Sequence, residues 1–137
     1  MALTHLADTS VLTRLAVPTV RHMLRELLTR RRIGRCTMSD LELGFSARNA
    51  GEWDQIRSAV ALFPKLDIQA EDLVQAGTVQ RALADRGLRG RKLPDLIIAA
   101  VAARDKLIVV HYDQDFELIA EVTGQRQEWV VPRASIN

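Results

Sequence analysis

Cysteine is nearly absent from this 137-residue chain: Cys36 stands alone. One cysteine cannot close an internal disulfide, which fits a reducing compartment, and it excludes a cysteine-built zinc cluster. It lies in the apolar run Ile33 to Met38, where a small buried hydrophobe is expected rather than a nucleophile. Aromatic residues are few. Two Trp, one Tyr and three Phe cannot form a broad platform for stacking bases. Long apolar runs are missing as well. The longest, Leu96 to Ala103, is far too short to span a bilayer. No basic segment followed by an apolar core opens the chain, so no signal peptide, no membrane partner and a cytoplasmic location are expected. With no repeat, low-complexity stretch or linker, one domain over residues 1–137 is expected. A chain of this size needs neither disulfide nor structural metal to fold.

What is present is the composition of a folded domain: 47% hydrophobic and 26% charged residues exclude a disordered chain. The formal charge is only +2, but the cations are bunched. Arg30, Arg31, Arg32 and Arg35 form one block; Arg86, Arg89, Arg91 and Lys92 form another. Either block can end a helix, where cations suit the dipole, or meet phosphate. Two blocks in one small chain favour a polyanionic partner.

Strand and helix patterns alternate along the chain. Leu3 to Ala7 reads as a first strand, followed by a short helix from about Ser10 to Leu15. Pro18 opens a helix in which Val20, Met23, Leu24, Leu27 and Leu28 recur at helical spacing. Ile33 to Met38 reads as a second strand, with Ser39 or Asp40 capping the next helix and Gly51 ending it. A helix over 52–63, a short strand over 66–68 and a helix over 71–86 follow, the last with Leu73, Ala76, Val79 and Leu83 inward. Pro94 and Asp95 open a helix over 96–104 that is apolar nearly all round and therefore central. A fourth strand over 107–110, a helix over 115–122 and a fifth strand at 129–131 complete the chain. The alternation predicts an α/β domain, its five-stranded sheet mostly parallel with helices on both faces.

In such a sheet ligands gather beyond the carboxyl ends of the strands. Asp8 follows strand one, and Glu42 lies near the helix start after strand two. Asp95 opens the helix before strand four, and Asp113 and Asp115 follow that strand. Each can be a helix cap on its own. Gathered in one pocket, carboxylates repel and raise one another's pKa, and a divalent cation reverses this by supplying positive charge. An all-oxygen set suits Mg²⁺ or Mn²⁺ rather than zinc. Without a metal, the acids need basic partners.

The run Leu6-Ala7-Asp8-Thr9-Ser10, then Ser39-x-x-Glu42-Leu43, Leu93-Pro94-Asp95 and His111-x-Asp113-x-Asp115-Phe116 resembles the PIN-domain ribonucleases. More narrowly, it resembles the VapC toxins of bacterial VapBC toxin–antitoxin pairs. The resemblance spans essentially the whole chain. It implies a PIN-like three-layer fold, Mg²⁺- or Mn²⁺-dependent cleavage of structured RNA of the tRNA or rRNA class, and inhibition by a VapB-like antitoxin. A homodimer is expected by the same likeness. By the motif match Asp8, Glu42, Asp95 and Asp113 take the family's acidic positions, with Asp115 a further acid. Thr9, Ser10 and Ser39 are supporting hydroxyls.

The metal ligands expected are Asp8, Asp95, Asp113 and Asp115. The RNA-binding cations expected are Arg30, Arg31, Arg32, Arg35, Arg89, Arg91 and Lys92. His111 is expected to be structural or a substrate contact more than a general base. The competing reading is a non-catalytic α/β module that binds RNA or protein, its acids serving as caps. An aspartyl phosphatase is disfavoured because Ser10, not an acid, stands two residues after Asp8.

Overall fold

The computed structural model describes residues 2–88 and 91–137. Five parallel strands form one sheet in the order β3-β2-β1-β4-β5. They are β1 (His5–Ala7), β2 (Ile33–Cys36), β3 (Lys65–Leu66), β4 (Ile108–His111) and β5 (Gln127–Trp129). The helices are α1 (Thr9–Leu12), α2 (Pro18–Thr29), α3 (Thr37–Gly44), α4 (Ala50–Ala59), α5 (Ala70–Asp85), α6 (Leu93–Arg104) and α7 (Asp115–Thr123). The α/β expectation holds.

Side-chain alternation builds the layers. In β1, Leu6 faces the core made with α5, α6 and α7, while Ala7 faces the core made with α1 and α2. Val109 and Val110 of β4 divide in the same way. A strand buried on both faces reads as a continuous apolar run, which is why β1 and β4 were visible in the sequence. α6 is buried on most of its circumference, from Asp95 to Ala102, as its uniform apolarity required.

Some elements differ from the sequence reading. α3 begins at Thr37, and its cap is Cys36, whose Sγ accepts from the Met38 N–H at 3.4 Å. Ser39 and Asp40 are not caps; both are buried inside α3. Cys36 is the small buried residue expected, its thiol pushed up to about 11 chiefly by burial. α4 runs straight through Gly51, because the Asn49 side chain caps it by accepting from Glu52 N–H at 2.8 Å. Leu73 is 55% exposed; the inward face of α5 is Asp72, Ala76, Val79 and Leu83, one step round the helix. Met23 of α2 is exposed as well. β5 lies earlier than expected, because pairing sets Gln127 beside Val109 and Trp129 beside His111, leaving Val130 and Val131 to pack in the α1–α2 layer. Among the described residues no helix is long and apolar enough to cross a membrane.

Candidate active site

Asp8 lies at the carboxyl end of β1, the middle strand, and is 2% exposed. Its backbone N–H donates to Val110 O of β4 at 2.9 Å, which fixes the two strand ends together. Its Oδ2 caps α1, accepting from Ser10 N–H at 2.9 Å and from Ser10 Oγ at 2.6 Å. Ser10 Oγ in turn accepts from Tyr112 N–H at 2.9 Å. The other oxygen, Oδ1, is buried with no hydrogen-bond partner among the described residues. Burial pushes this carboxyl above its ordinary range; the bonds from Ser10 oppose the shift and the charge of Asp113 adds to it.

Asp95 sits in the first turn of α6, 4% exposed, where Lys92 and Pro94 start the helix. Its Oδ2 also accepts no hydrogen bond among the described residues. The carboxyl is pushed up to about 8, first by burial and then by Asp8, with smaller contributions from Asp113 and Asp115 and against the opposing pull of Lys92. Asp113 and Asp115 come from the turn after β4, where Asp115 N–H donates to Asp113 Oδ1 at 2.9 Å. Asp95, Asp113 and Asp115 each bring one carboxylate oxygen within 4.8 Å of the others.

Glu42 reaches the same end of the sheet from α3, which packs on α1 and α6. Thr9 Oγ1 lies 2.6 Å from Glu42 Oε1 and donates to it, and Ser39 Oγ lies 2.7 Å from the same hydroxyl. Burial raises the Glu42 carboxyl, Thr9 opposes that, and the charge of Asp8 adds to it. The five acids expected to converge thus occupy one end of the sheet. Of the four expected metal ligands, Asp95, Asp113 and Asp115 form the tight triplet, and Asp8 stands beside it, felt through its charge.

The cations divide. Lys92 Nζ lies 2.5 Å from Asp113 Oδ2 and 3.6 Å from Asp95 Oδ2, and Arg91 Nη1 donates to Asp115 Oδ1 at 2.8 Å. Burial alone lowers the Lys92 pKa, but the bond to Asp113 and the surrounding acids outweigh it and hold the ammonium firmly charged. Arg35 is a correction. It is 7% exposed inside β2, with Nε 2.7 Å from Asp40 Oδ1 and Nη1 donating to Val60 O at 3.1 Å and also to Phe63 O, so it is not available to RNA. Arg30, Arg31 and Arg32 precede β2 and lie at the amino end of the sheet, away from the acids. Arg89 lies outside the described residues.

His111 is fully buried between Phe116 and Trp129, at ring-centroid separations of 5.2 and 5.0 Å. Its Nε2 bonds Gln127 Oε1 at 2.5 Å, and its Nδ1 accepts from Asp113 N–H at 3.2 Å. Both nitrogens are committed, and burial lowers its pKa, so it supports the acidic turn as a neutral ring. Its sequence signal was its place at the end of an apolar strand.

The donor set fits a hard divalent cation: carboxylate oxygens only, two of them buried with no hydrogen bond among the described residues, one carboxyl pushed to about 8 by burial and then by its acidic neighbours.

The chain resembles known proteins along its length. The PIN-domain family profile matches residues 6–122. Ribonuclease VapC51 of Mycobacterium tuberculosis is 45% identical over 137 residues, covering 100% of both chains. Ribonuclease VapC21 of the same species is 43% identical over 136 residues, covering 96% of each. The chain belongs to the PIN-domain family and, within it, to the VapC ribonucleases. The fold also matches a chain in the crystal structure of DNA-bound VapBC from Salmonella typhimurium, with TM-score 0.75, 18% identity, and coverage of 94% of this chain and 99% of that one.

Proposed function

We propose that this chain is a Mg²⁺- or Mn²⁺-dependent endoribonuclease that cuts structured cellular RNA of the tRNA or rRNA class. It acts as a growth-inhibiting toxin in the cytoplasm and is held inactive by a VapB-like antitoxin. The observation that carries the reading is the meeting of Asp95, Asp113 and Asp115 beside Asp8, with Asp8 Oδ1 and Asp95 Oδ2 buried and accepting no hydrogen bond among the described residues. Its relatives' names supply the reaction class, and the VapBC complexes among the structures of like fold supply the partner.

Asp95, Asp113 and Asp115, with Asp8 beside them, would hold the cation. A divalent ion there supplies an acidified water and positive charge for the phosphoryl oxygens. Ser10 donates two hydrogen bonds to Asp8 Oδ2, so Oδ1 is the oxygen of this carboxylate that would serve the ion. Glu42, its carboxyl raised above the ordinary range and steered by Thr9, is suited to take a proton from the attacking water. Arg91 and Lys92 stand at the cluster's rim, where an RNA backbone arrives.

The exposed apolar side chains of α3 and α4, Leu41, Phe45 and Trp53, offer a surface to a second copy or to the antitoxin. Light scattering of the chain alone and with its antitoxin measures which. One observation favours the non-catalytic reading: Arg91 and Lys92 already give Asp113 and Asp115 basic partners.

The deciding experiment incubates purified protein with total RNA in Mg²⁺, Mn²⁺ or EDTA. Cleavage should require the metal and fall by on the order of 10²-fold or more in Asp8→Asn. Cleavage that persists in EDTA would reject the metal reading, and no cleavage of any RNA would favour the binding module.

A further inference from the structure

Lys92 touches the proposed cation site more closely than a residue that merely lines its rim. Its Nζ is 2.5 Å from Asp113 Oδ2 and 3.6 Å from Asp95 Oδ2, two of the three acids whose oxygens converge. Asp113 Oδ1 accepts from Asp115 N–H, so Oδ2 is the oxygen of this carboxylate more open to an outside cation. The ammonium holds that oxygen.

The backbone at Lys92 is pinned, since its carbonyl accepts from Asp95 N–H at 3.1 Å and from Leu96 N–H at 3.3 Å to start α6. The side chain is held only at its tip by the acids: it is 59% exposed, where that of Arg91 beside it is 24% exposed. A lysine carries a compact charge on a flexible four-carbon stem, whereas guanidinium binds as a rigid fork. Arg91 therefore remains on Asp115 while Lys92 is free to turn.

We propose that Lys92 and the divalent cation are alternative counter-ions of Asp95 and Asp113, so that binding the metal turns Lys92 outward to solvent and the substrate's phosphates. The inference rests on the metal-site reading above. It has two consequences. Metal-free protein keeps its acids together with less of the repulsion they would otherwise suffer, and metal affinity is lowered by the competition. It also orders events, because the lysine becomes available to a phosphodiester only once the ion is in place.

The test uses the full chain and Mn²⁺ or Mg²⁺ alone. In calorimetric titrations Lys92→Met, which keeps the stem, should bind Mn²⁺ on the order of tenfold tighter than the wild type. In EDTA it should melt below the wild type, and in saturating Mn²⁺ it should not. A second measurement needs no variant. After reductive ¹³C-methylation, which preserves charge, the Lys92 methyl resonance should move on adding Mg²⁺ while those of Lys65 and Lys106 stay put. Wild-type Mn²⁺ binding with no gain in Lys92→Met, or a stationary Lys92 resonance, overturns this inference alone. Absence of any saturable Mn²⁺ binding that Asp95→Asn removes overturns the metal site and this inference with it.

Discussion

At the scale of the residue, Asp95 sets stability against function. Its carboxyl titrates at about 8 in the fold and near 3.9 in an unfolded chain. Between those values the folded state holds a proton that the unfolded state has lost. Stability of the chelated protein attributable to this group is therefore greatest at low pH, declines as pH rises through that window, and levels off above it. Asp95→Asn removes the titration. In EDTA its melting temperature should exceed the wild type's by a few degrees at pH 8.5, and the gap should shrink toward pH 4.5. In saturating Mn²⁺ the order should reverse. Circular-dichroism melts across pH check both, and a gap independent of pH would sink the account. Asp95 was legible because an acid opening a wholly apolar helix is costly without a partner. Arg35 was misread because it was grouped with the preceding arginines. The better clue was its place inside a strand, between Gly34 and Cys36, where only burial with an acid such as Asp40 makes sense.

At the scale of the element, α3 shows what periodicity cannot reveal. α5 and α6 were readable because one face, or the whole surface, is apolar. α3 instead buries Ser39 and Asp40, each for a polar reason: Ser39 bonds Thr9, and Asp40 receives Arg35 while Arg57 Nε lies 3.7 Å away. That pairing locks α3 to β2 and to the turn after α4, because Arg35 also donates to Val60 O and Phe63 O. Glu42 lies two residues after Asp40 in the same helix. Arg35→Met leaves Asp40, 4% exposed, without its main partner. A loss of about 3–5 kcal/mol is expected from one broken buried pair. The double variant Arg35→Met, Asp40→Leu should recover most of it, since an apolar pair carries no stranded charge. Urea unfolding of the two variants distinguishes this from a role in RNA binding, which would leave the midpoint unchanged in Arg35→Met.

At the scale of the molecule, the topology explains how acids so far apart in sequence become neighbours. β1 is central and β4 pairs with it, so Asp8 and the Asp113 turn leave the sheet side by side. α6 runs antiparallel to the strand it precedes, so Asp95 starts at that same edge. This much followed from reading a parallel α/β sheet. The relation of the two basic blocks did not, because charge runs look alike whichever end of a strand they occupy. The fold separates them: Arg91 and Lys92 flank the acids, while Arg30 and Arg31 sit before β2 at the opposite end. A phosphodiester seated at the acids meets the first pair and not the second. Arg91→Gln should therefore weaken RNA binding by several-fold, slow cleavage, and lower the salt dependence of binding by about one phosphate contact. The double variant Arg30→Gln, Arg31→Gln should bind a short structured RNA, and cleave it in Mn²⁺, within about twofold of the wild type, because exposed charges more than a Debye length of ~8–10 Å away are largely screened. Fluorescence anisotropy across a salt series, with cleavage rates alongside, measures both. Equal losses in the two variants would mean that the RNA wraps the whole sheet rather than docking at its carboxyl edge.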